Sequence, residues 1–284
     1  MPSPDEIRDR QRAAWAGLSA GWETWDAIIM DQLGPVGAAM IERLDLADDQ
    51  RHLDIASGTG EPGLRIAKLA PKGTVVLTDL VPEMLEIAAR RAEAEGIRNV
   101  ETRVCSADDL PFDDASFDSV SVRFGFMFFP DVAQAAAELT RVLRPGGRLC
   151  SSVWIEPDRN PWTSIAMQAI RSEVELPPPD PDGPNMFRCA SPGYLSALYE
   201  AAGLRDLAEW DVPVELVTAS ATEYWDMISE HVSLAVAALR EVDEPTRERI
   251  GATAMAEVRA YERDGRVRVP GLARCAIGTK PNAA

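Results

Sequence analysis

Three glycines and one aspartate carry the strongest chemical signal in this sequence. Gly58, Gly60 and Gly63 follow a short apolar segment, and Asp79 ends a second one nineteen positions after Gly60. Glycine lets a ligand approach the backbone closely, and the helix after the turn directs free N–H groups and its positive dipole end at the same place. A carboxylate at the tip of the second strand can accept hydrogen bonds from ribose hydroxyls. The spacing therefore predicts a site for an adenosine-containing cofactor.

The glycine turn alone leaves the class of cofactor open. A helix N-terminus suits the carboxylate of an amino-acid-like ligand as well as a phosphate. The pattern Gly58-x-Gly60-x-x-Gly63 also matches the dinucleotide-binding fingerprint. A nicotinamide cofactor is therefore one of two readings of these residues.

Alternating strands and helices must position these residues. Apolar segments predict strands, and the periodic segments between them predict helices that stop at glycine or proline. The predicted strands span 52–56, 74–79, 100–105, 117–122 and 148–154, with helices to about residue 70, at 82–95 and at 132–143. This alternation predicts an α/β fold in which helices cover both faces of a mostly parallel sheet.

The flanking segments predict a lid and a cap around this core. The predicted division is a helical N-terminal lid at 1–45, a core at 46–155 completed by 191–219 and 267–280, and cap insertions for substrate binding at 156–190 and 220–266. Ser191 before Pro192 predicts a helix N-terminus, and Ser220 with Glu223 predicts a capping box. The remaining expected elements are a helix near 162–175, late strands at 204–217 and 267–279, and a helix over about 244–263.

Composition narrows the classes of partner. The net charge of −17 argues against nucleic acid and against anionic membranes, since both need a basic face. No apolar run approaches the ~18 residues that span a bilayer, and the N-terminus lacks the pattern of a signal peptide. The four cysteines are scattered and neither histidine lies near one, which predicts free thiols and no metal site. We therefore expect a cytoplasmic protein with a small-molecule substrate. The sequence leaves open whether the protein forms a homodimer.

Further segments, taken in order, resemble one protein family. They are 53–60, 79–85, 110–118, 124–126 followed by Pro130-Asp131, and 141–149. The chain resembles the class I S-adenosylmethionine-dependent methyltransferases, and is most similar to the ubiquinone/menaquinone-biosynthesis (type 11-like) small-molecule enzymes. The resemblance covers about residues 15–154. It implies a Rossmann-like sheet of seven mostly parallel strands with an antiparallel last strand, and S-adenosyl-L-methionine as cofactor.

The resemblance also implies a set of cofactor-binding residues. They are Asp54, Ala56, Ser57, Gly58, Gly60, Asp79, Leu80, Met84, Ser106, Ala107, Arg123 and Phe124. Asp79 would hold the ribose, while Arg123 and Phe124 would lie beneath the sulfonium. Ser106 departs from the pattern, because relatives often carry an aspartate there for the adenine amino group. Either Ser106 or Asp108 would have to replace that contact.

Aromatic and apolar residues near the predicted caps indicate a largely apolar acceptor. The expected substrate pocket comprises Trp22, Trp25, Met127, Phe128, Trp162, Tyr224 and Trp225. His231 is the candidate catalytic base, because an imidazole accepts a proton near neutral pH; its alternative is a packed cap histidine. An acidic acceptor would need no strong base.

These residues lead to one expected function and two alternatives. We expect methyl transfer from S-adenosylmethionine to a small, largely apolar, aromatic or natural-product-like acceptor by in-line displacement. An NAD-dependent oxidoreductase shares the first two motifs but is not expected to carry the 110–118 and 141–149 segments. A non-catalytic S-adenosylmethionine-binding protein would retain them all.

Overall fold

A single sheet organises the fold. The computed structural model describes residues 3–176 and 183–282; the proline-rich stretch 177–181, within the predicted 156–190 insertion, falls outside these residues. The strands are β1 (Arg51–Ile55), β2 (Thr74–Asp79), β3 (Val100–Val104), β4 (Phe117–Arg123), β5 (Leu143–Trp154), β6 (Arg205–Thr218), β7 (Glu262–Arg263) and β8 (Arg266–Thr279). Their order is β3-β2-β1-β4-β5-β8-β6, and the short β7 pairs with β8.

The helices surround this sheet and extend beyond it. They are α1 (Pro4–Ala16), α2 (Ser19–Thr24), α3 (Asp26–Leu44), α4 (Gly63–Leu69), α5 (Pro82–Ala94), α6 (Val132–Val142), α7 (Pro161–Glu173), α8 (Tyr194–Ala201), α9 (Ala221–His231), α10 (Ser233–Arg240) and α11 (Glu244–Val258). Helix α3 packs on β5, β6 and β8, whereas α4 and α5 pack on the strands β1 to β3. Four successive residues of β2 are buried, and because successive side chains of a strand point to opposite faces, both faces of this strand are covered.

The strand directions confirm the predicted fold class. Strands β1 to β5 pair in parallel, and β8 lies antiparallel between β5 and β6. The chain moves outward from β1 through β2 to β3, then returns to place β4 on the other side of β1. This reversal leaves a crevice at the carboxyl ends of β1 and β4, where open α/β sheets bind ligands.

Three predicted boundaries differ from the structure. The N-cap of α8 is Gly193, with a φ of 78°, so the prediction that Ser191 begins this helix is wrong. The helix expected over 244–263 ends at Val258, because the chain then turns into the β7–β8 hairpin. Strand β5 begins at Leu143 rather than 148, since Leu143 pairs with Phe117 across a register shift.

Both ends of α9 are defined by the residues that flank it. Ser220 accepts a hydrogen bond from the Glu223 amide and begins α9 as predicted. A break at Val232 then separates α9 from α10. Among the described residues, no helix combines the length and the hydropathy needed to cross a membrane.

Candidate active site

A cavity of about 810 Å³ lies at the carboxyl ends of the parallel strands. Its floor is formed by the residues that follow β1, β2, β3 and β4, and residues of α1, α2, α7, α9 and α10 close it from above. Three segments far apart in sequence therefore enclose one space: the N-terminal helices, the sheet and the C-terminal helices. A volume of this size falls in the range of small-molecule sites.

The glycine turn and Asp79 form one hydrogen-bonded unit at the cavity floor. Asp79 accepts hydrogen bonds from the Gly58 amide (2.9 Å) and from the Val81 amide (2.9 Å). Gly58 has a φ of 52°, and a β-carbon there would meet no protein atom within 4 Å. The turn thus presents bare backbone beside a carboxylate, as the sequence predicts. Burial raises the pKa of Asp79, and the backbone amides act in the opposite direction.

Two of the twelve predicted cofactor residues do not line the cavity. Asp54 is fully buried beneath the turn, where it accepts hydrogen bonds from the Gly63 amide (2.9 Å) and the Ser121 hydroxyl (2.5 Å). Burial raises the pKa of Asp54 to about 7. Gly60 has a φ of 107°, and a β-carbon there would lie 2.7 Å from Leu64. Glycine at this position therefore serves the packing of α4 rather than the approach of a ligand.

The other ten predicted cofactor residues all line the cavity. They are Ala56, Ser57, Gly58, Asp79, Leu80, Met84, Ser106, Ala107, Arg123 and Phe124. Ser106 donates a short hydrogen bond to Asp108 and accepts one from Arg8 of α1 (3.1 Å), while Arg8 also pairs with Asp108 (3.2 Å). The sequence alone gave no signal for Arg8, because its partners are about a hundred residues away.

Polar and charged groups gather around the turn. Arg123 donates to the carbonyl of Glu61 (3.0 Å) and contacts the Met30 sulfur (3.9 Å). Glu61 also lines the cavity, as do Ser57 and Gln32. The side-chain oxygen of Ser57 and the amide nitrogen of Gln32 are buried without a hydrogen-bond partner.

The opposite part of the cavity is largely apolar. Four of the predicted pocket residues line it, together with several that the sequence analysis did not select. The predicted ones are Trp22, Met127, Phe128 and Trp162, and the additional ones include Trp15, Trp154, Met167 and Phe187. Trp154 ends β5 and stacks on Phe124 with ring centroids 4.4 Å apart. Its position at a strand end was the available signal.

Three predicted pocket residues lie away from the cavity. Tyr224 is fully buried and donates its hydroxyl to the carbonyl of Trp162 (2.9 Å). Trp225 faces α11, where a β-carbon on Gly251 would lie 2.8 Å from its indole nitrogen. The Trp25 indole donates to Glu230 on the outer side of α9 (2.8 Å). These residues hold the caps together rather than forming the wall.

His231 lies at the junction of lid and cap. Its side chain lines the cavity, is 7% exposed, and packs against Trp22 with ring centroids 5.2 Å apart. Burial lowers the pKa of His231 to about 4. His231 is therefore neutral near pH 7, and its Nδ1 has no hydrogen bond. The imidazole of His231 can accept a hydrogen bond, but its lowered pKa makes it a weak proton acceptor.

The residues present fit an S-adenosylmethionine-like ligand. Eight buried side-chain polar atoms of the described residues lack a partner, and four belong to residues that line this cavity: Trp22, Gln32, Ser57 and His231. Unsatisfied buried polar atoms are uncommon in folded proteins and call for an explanation. Their concentration here, beside a ribose-type aspartate and bare turn backbone, is what a ligand with a polar end and an adenosine end requires.

Comparisons with known proteins agree with this site. The model of the ubiE/COQ5 methyltransferase family matches residues 16–168. A demethylmenaquinone methyltransferase of Thermus thermophilus is 49% identical over 102 residues, covering 35% of this chain and 45% of the relative. A ubiquinone/menaquinone biosynthesis C-methyltransferase of Dinoroseobacter shibae is 40% identical over 126 residues, covering 44% and 46%. The chain thus spans about half the length of the curated relatives it matches.

Solved structures share the fold at low sequence identity. A phosphoethanolamine N-methyltransferase 2 of Haemonchus contortus, in complex with S-adenosylhomocysteine, matches 99% of this chain and 61% of its own, with a TM-score of 0.59 and 16% identity. The [4+2]-cyclase SpnF matches 87% and 80%, with a TM-score of 0.55 and 22% identity. Because one fold carries both a methyltransferase and a cyclase, the fold alone does not select an activity.

Proposed function

This chain belongs to the ubiE/COQ5 methyltransferase family, and we propose that it transfers a methyl group from S-adenosylmethionine to a small, largely apolar acceptor. The family confirms the predicted enzyme class and the predicted cofactor. The observation that carries the proposal is the cavity itself, which joins a ribose-type carboxylate at one end to an aromatic chamber at the other.

The adenosine part of the cofactor has clear partners in this chain. Asp79 would accept the ribose hydroxyls, exchanging its present amide partners for them in part. Leu80 and Met84 would flank the adenine, and the backbone of Ala107 would meet its edge. When bound, S-adenosylmethionine supplies an activated methyl group on a sulfonium.

The aromatic chamber supports an apolar acceptor. The Trp15 and Phe128 rings are nearly perpendicular with centroids 5.1 Å apart, and Trp22 lies beside both Trp15 and His231. Aromatic walls favour flat apolar ligands. Positioning an acceptor beside an activated methyl group can lower the barrier by ~7–11 kcal/mol. Helices α1 and α2 contribute to the wall of the cavity and would limit the access of water to the reacting atoms.

His231 fits a positioning role better than that of a strong base. A neutral imidazole in the wall accepts a hydrogen bond from an acceptor hydroxyl and so fixes its direction. The lowered pKa of His231 limits proton transfer to acceptors that are themselves acidic. Transfer to a carbon or to an ionised oxygen needs no base at all.

The test is a screen of acceptors with the purified protein. Naphthols, hydroquinones and aromatic thiols are incubated with S-adenosylmethionine, and products that gain one methylene mass are sought by mass spectrometry. Asp79→Asn should lower product formation about 10- to 100-fold at a cofactor concentration below saturation, because it weakens cofactor binding. Asp113→Asn, at an exposed aspartate outside the cavity, should leave product formation unchanged. Cofactor binding without product from any acceptor would favour the non-catalytic alternative.

A further inference from the structure

We propose that β3 is a self-association edge, where the strand pairs in antiparallel fashion with β3 of a second copy of this chain. The pairing joins the two sheets across a twofold axis. It concerns the outer edge of the sheet and does not depend on the reaction carried out in the cavity.

Strand β3 is open to solvent. It is the first strand in the order of the sheet, and among the described strands it pairs with β2 alone. Its first residue is half-buried and the next four are exposed. The chain between β3 and β4 forms no helix that could cover the strand. Val104 is 48% exposed, one of three large apolar side chains that are so exposed among the described residues.

The backbone of β3 carries unpaired groups along its outer side. The Cys105 amide donates to the Asp79 carbonyl (3.1 Å), and the Asn99 carbonyl accepts from the Val75 amide (2.9 Å). Odd-numbered residues therefore direct their backbone groups to β2, and the even-numbered residues, with Thr102 at their centre, direct theirs outward. Such an edge is a template for another strand.

The sequence of β3 is complementary to itself in the reverse direction. It reads Val-Glu-Thr-Arg-Val from residue 100 to 104. An antiparallel pair centred on Thr102 places Glu101 of each copy opposite Arg103 of the other, with valine opposite valine at both ends. The two Thr102 residues then form a hydrogen-bonded pair, and the Glu–Arg pairs occupy the positions where facing side chains are closest. Self-complementarity of this kind is what a twofold interface requires.

The charges select this register over its neighbours. A shift of two residues places either Glu101 opposite Glu101 or Arg103 opposite Arg103, and like charges that face each other are destabilising. Arg98 precedes the strand and Asp109 follows it, and both are exposed. Because the start of one strand lies beside the end of the other, these opposite charges also approach each other across the axis.

The same charges make this edge suitable for contact between two acidic molecules. Each copy carries a net charge of −17, which opposes association over most of the surface. Along the edge, positive and negative side chains alternate, and neither Glu101 nor Arg103 has an ion-pair partner among the described residues. Charged edge residues commonly prevent pairing; here their order permits it with one partner in one direction.

The interface is small and the dimer is accordingly weak. Pairing of five residues from each copy gives an interface at the low end of the known size range, so we expect a dissociation constant of about 1–100 μM. The two cavities remain separate, because each lies at the carboxyl ends of its own strands and the second strand runs in the opposite direction.

The test is sedimentation velocity of the full chain over a concentration series. Glu101→Arg and Arg103→Glu each place like charges at both pairs, and each should raise the dissociation constant about 10- to 100-fold. Glu101→Arg makes the net charge of −17 less negative, so general repulsion cannot account for its effect. Glu248→Arg, at an exposed residue of α11, is the matched control and should leave the dimer intact.

Mixing the two variants tests the pairing directly. In a mixed dimer the arginines of Glu101→Arg face the glutamates of Arg103→Glu at both pairs. Each variant alone should be a monomer, and their mixture should restore association to within about threefold of the wild type. Thr102→Pro removes an outward N–H without disturbing the bonds to β2 and should also weaken the dimer.

Three results would overturn the proposal. The first is a wild type that sediments only as a monomer at about 100 μM, above the expected dissociation constant. The second is a dimer that survives both Glu101→Arg and Arg103→Glu, because its interface then lies elsewhere. The third is a mixture of the two variants that stays monomeric although circular dichroism shows both to be folded.

Discussion

His52 gives a prediction about stability that needs no substrate. It is the second residue of β1, is fully buried, and places its two ring nitrogens 2.7 Å and 2.8 Å from the hydroxyls of Ser119 and Ser121. Burial lowers the pKa of His52 from 6.5 to about 3. Between pH 6.5 and about pH 3, His52 binds a proton in the unfolded chain but stays neutral in the native state. The folded state therefore loses stability as the pH falls through this window.

The size of the effect follows from the shift. One pKa unit corresponds to about 1.4 kcal/mol, so His52 removes up to about 1.4 kcal/mol of stability for each pH unit below 6.5. Lowering the pH from about 6.5 to 4.5 should cost about 2 kcal/mol through this residue alone, because at pH 6.5 about half of the unfolded chains already carry the proton. Asp54 acts in the opposite sense, because its raised pKa of about 7 lets the native state bind a proton that the unfolded chain releases.

A comparison of variants isolates His52 from these other groups. His52→Gln is less stable than the wild type at about pH 7.5, because a buried serine loses its partner. In urea denaturation the difference in unfolding free energy between the two proteins should shrink by about 2 kcal/mol in total between pH 6.5 and 4.5. His231→Gln, at the second buried histidine, should show the same trend. A gap that stays constant over this range would refute the buried, neutral state of His52.

Three other outcomes follow from specific contacts. Asp79→Asn should lower the affinity for S-adenosylhomocysteine about 10- to 100-fold in calorimetry, because each hydrogen bond to a charged group contributes about 1.5–3 kcal/mol. A β-carbon on Gly21 would lie 2.4 Å from the Glu230 carbonyl oxygen. Gly21→Ala should therefore push α2 away from α9 and lower the free energy of unfolding by about 1–3 kcal/mol. Amide hydrogen exchange in both helices should become faster, and unchanged exchange would contradict this expectation. Tyr199→Phe should cost about 1–3 kcal/mol in urea denaturation, because the tyrosine hydroxyl donates to buried Ser151 (2.6 Å); a double variant that also carries Ser151→Ala should be no less stable than Tyr199→Phe alone.

Features encoded by short stretches of sequence were predictable. The turn at Gly58 and the carboxylate of Asp79 depend on strand ends in neighbouring positions of a parallel sheet, and strand–helix alternation determines that arrangement. The structure places both residues in the cavity floor. The antiparallel position of β8 followed from the family resemblance rather than from periodicity.

Features that depend on how distant segments meet were not predictable. Packing determines which face of α9 turns to the cavity. His231 lies on that face as expected, whereas Tyr224 and Trp225, which were also expected in the pocket, lie on other faces of the helix. Arg8 finds its partners about a hundred residues away, and no local pattern encodes such a contact. The start of α8 was misjudged because Ser191 and Gly193 are competing signals two residues apart, and the left-handed conformation of Gly193 prevailed.

Helix α1 has a consequence for the kinetics of ligand exchange. None of its residues is buried, and it is held over the cavity by the Arg8 contacts with Ser106 and Asp108 and by the packing of Trp15 on Phe128. A segment with so little buried surface opens at a small fraction of the free energy of global unfolding. The residence time of a ligand bound beneath α1 is therefore separable from the stability of the sheet. Substitutions in α1 can change this residence time without changing the free energy of global unfolding.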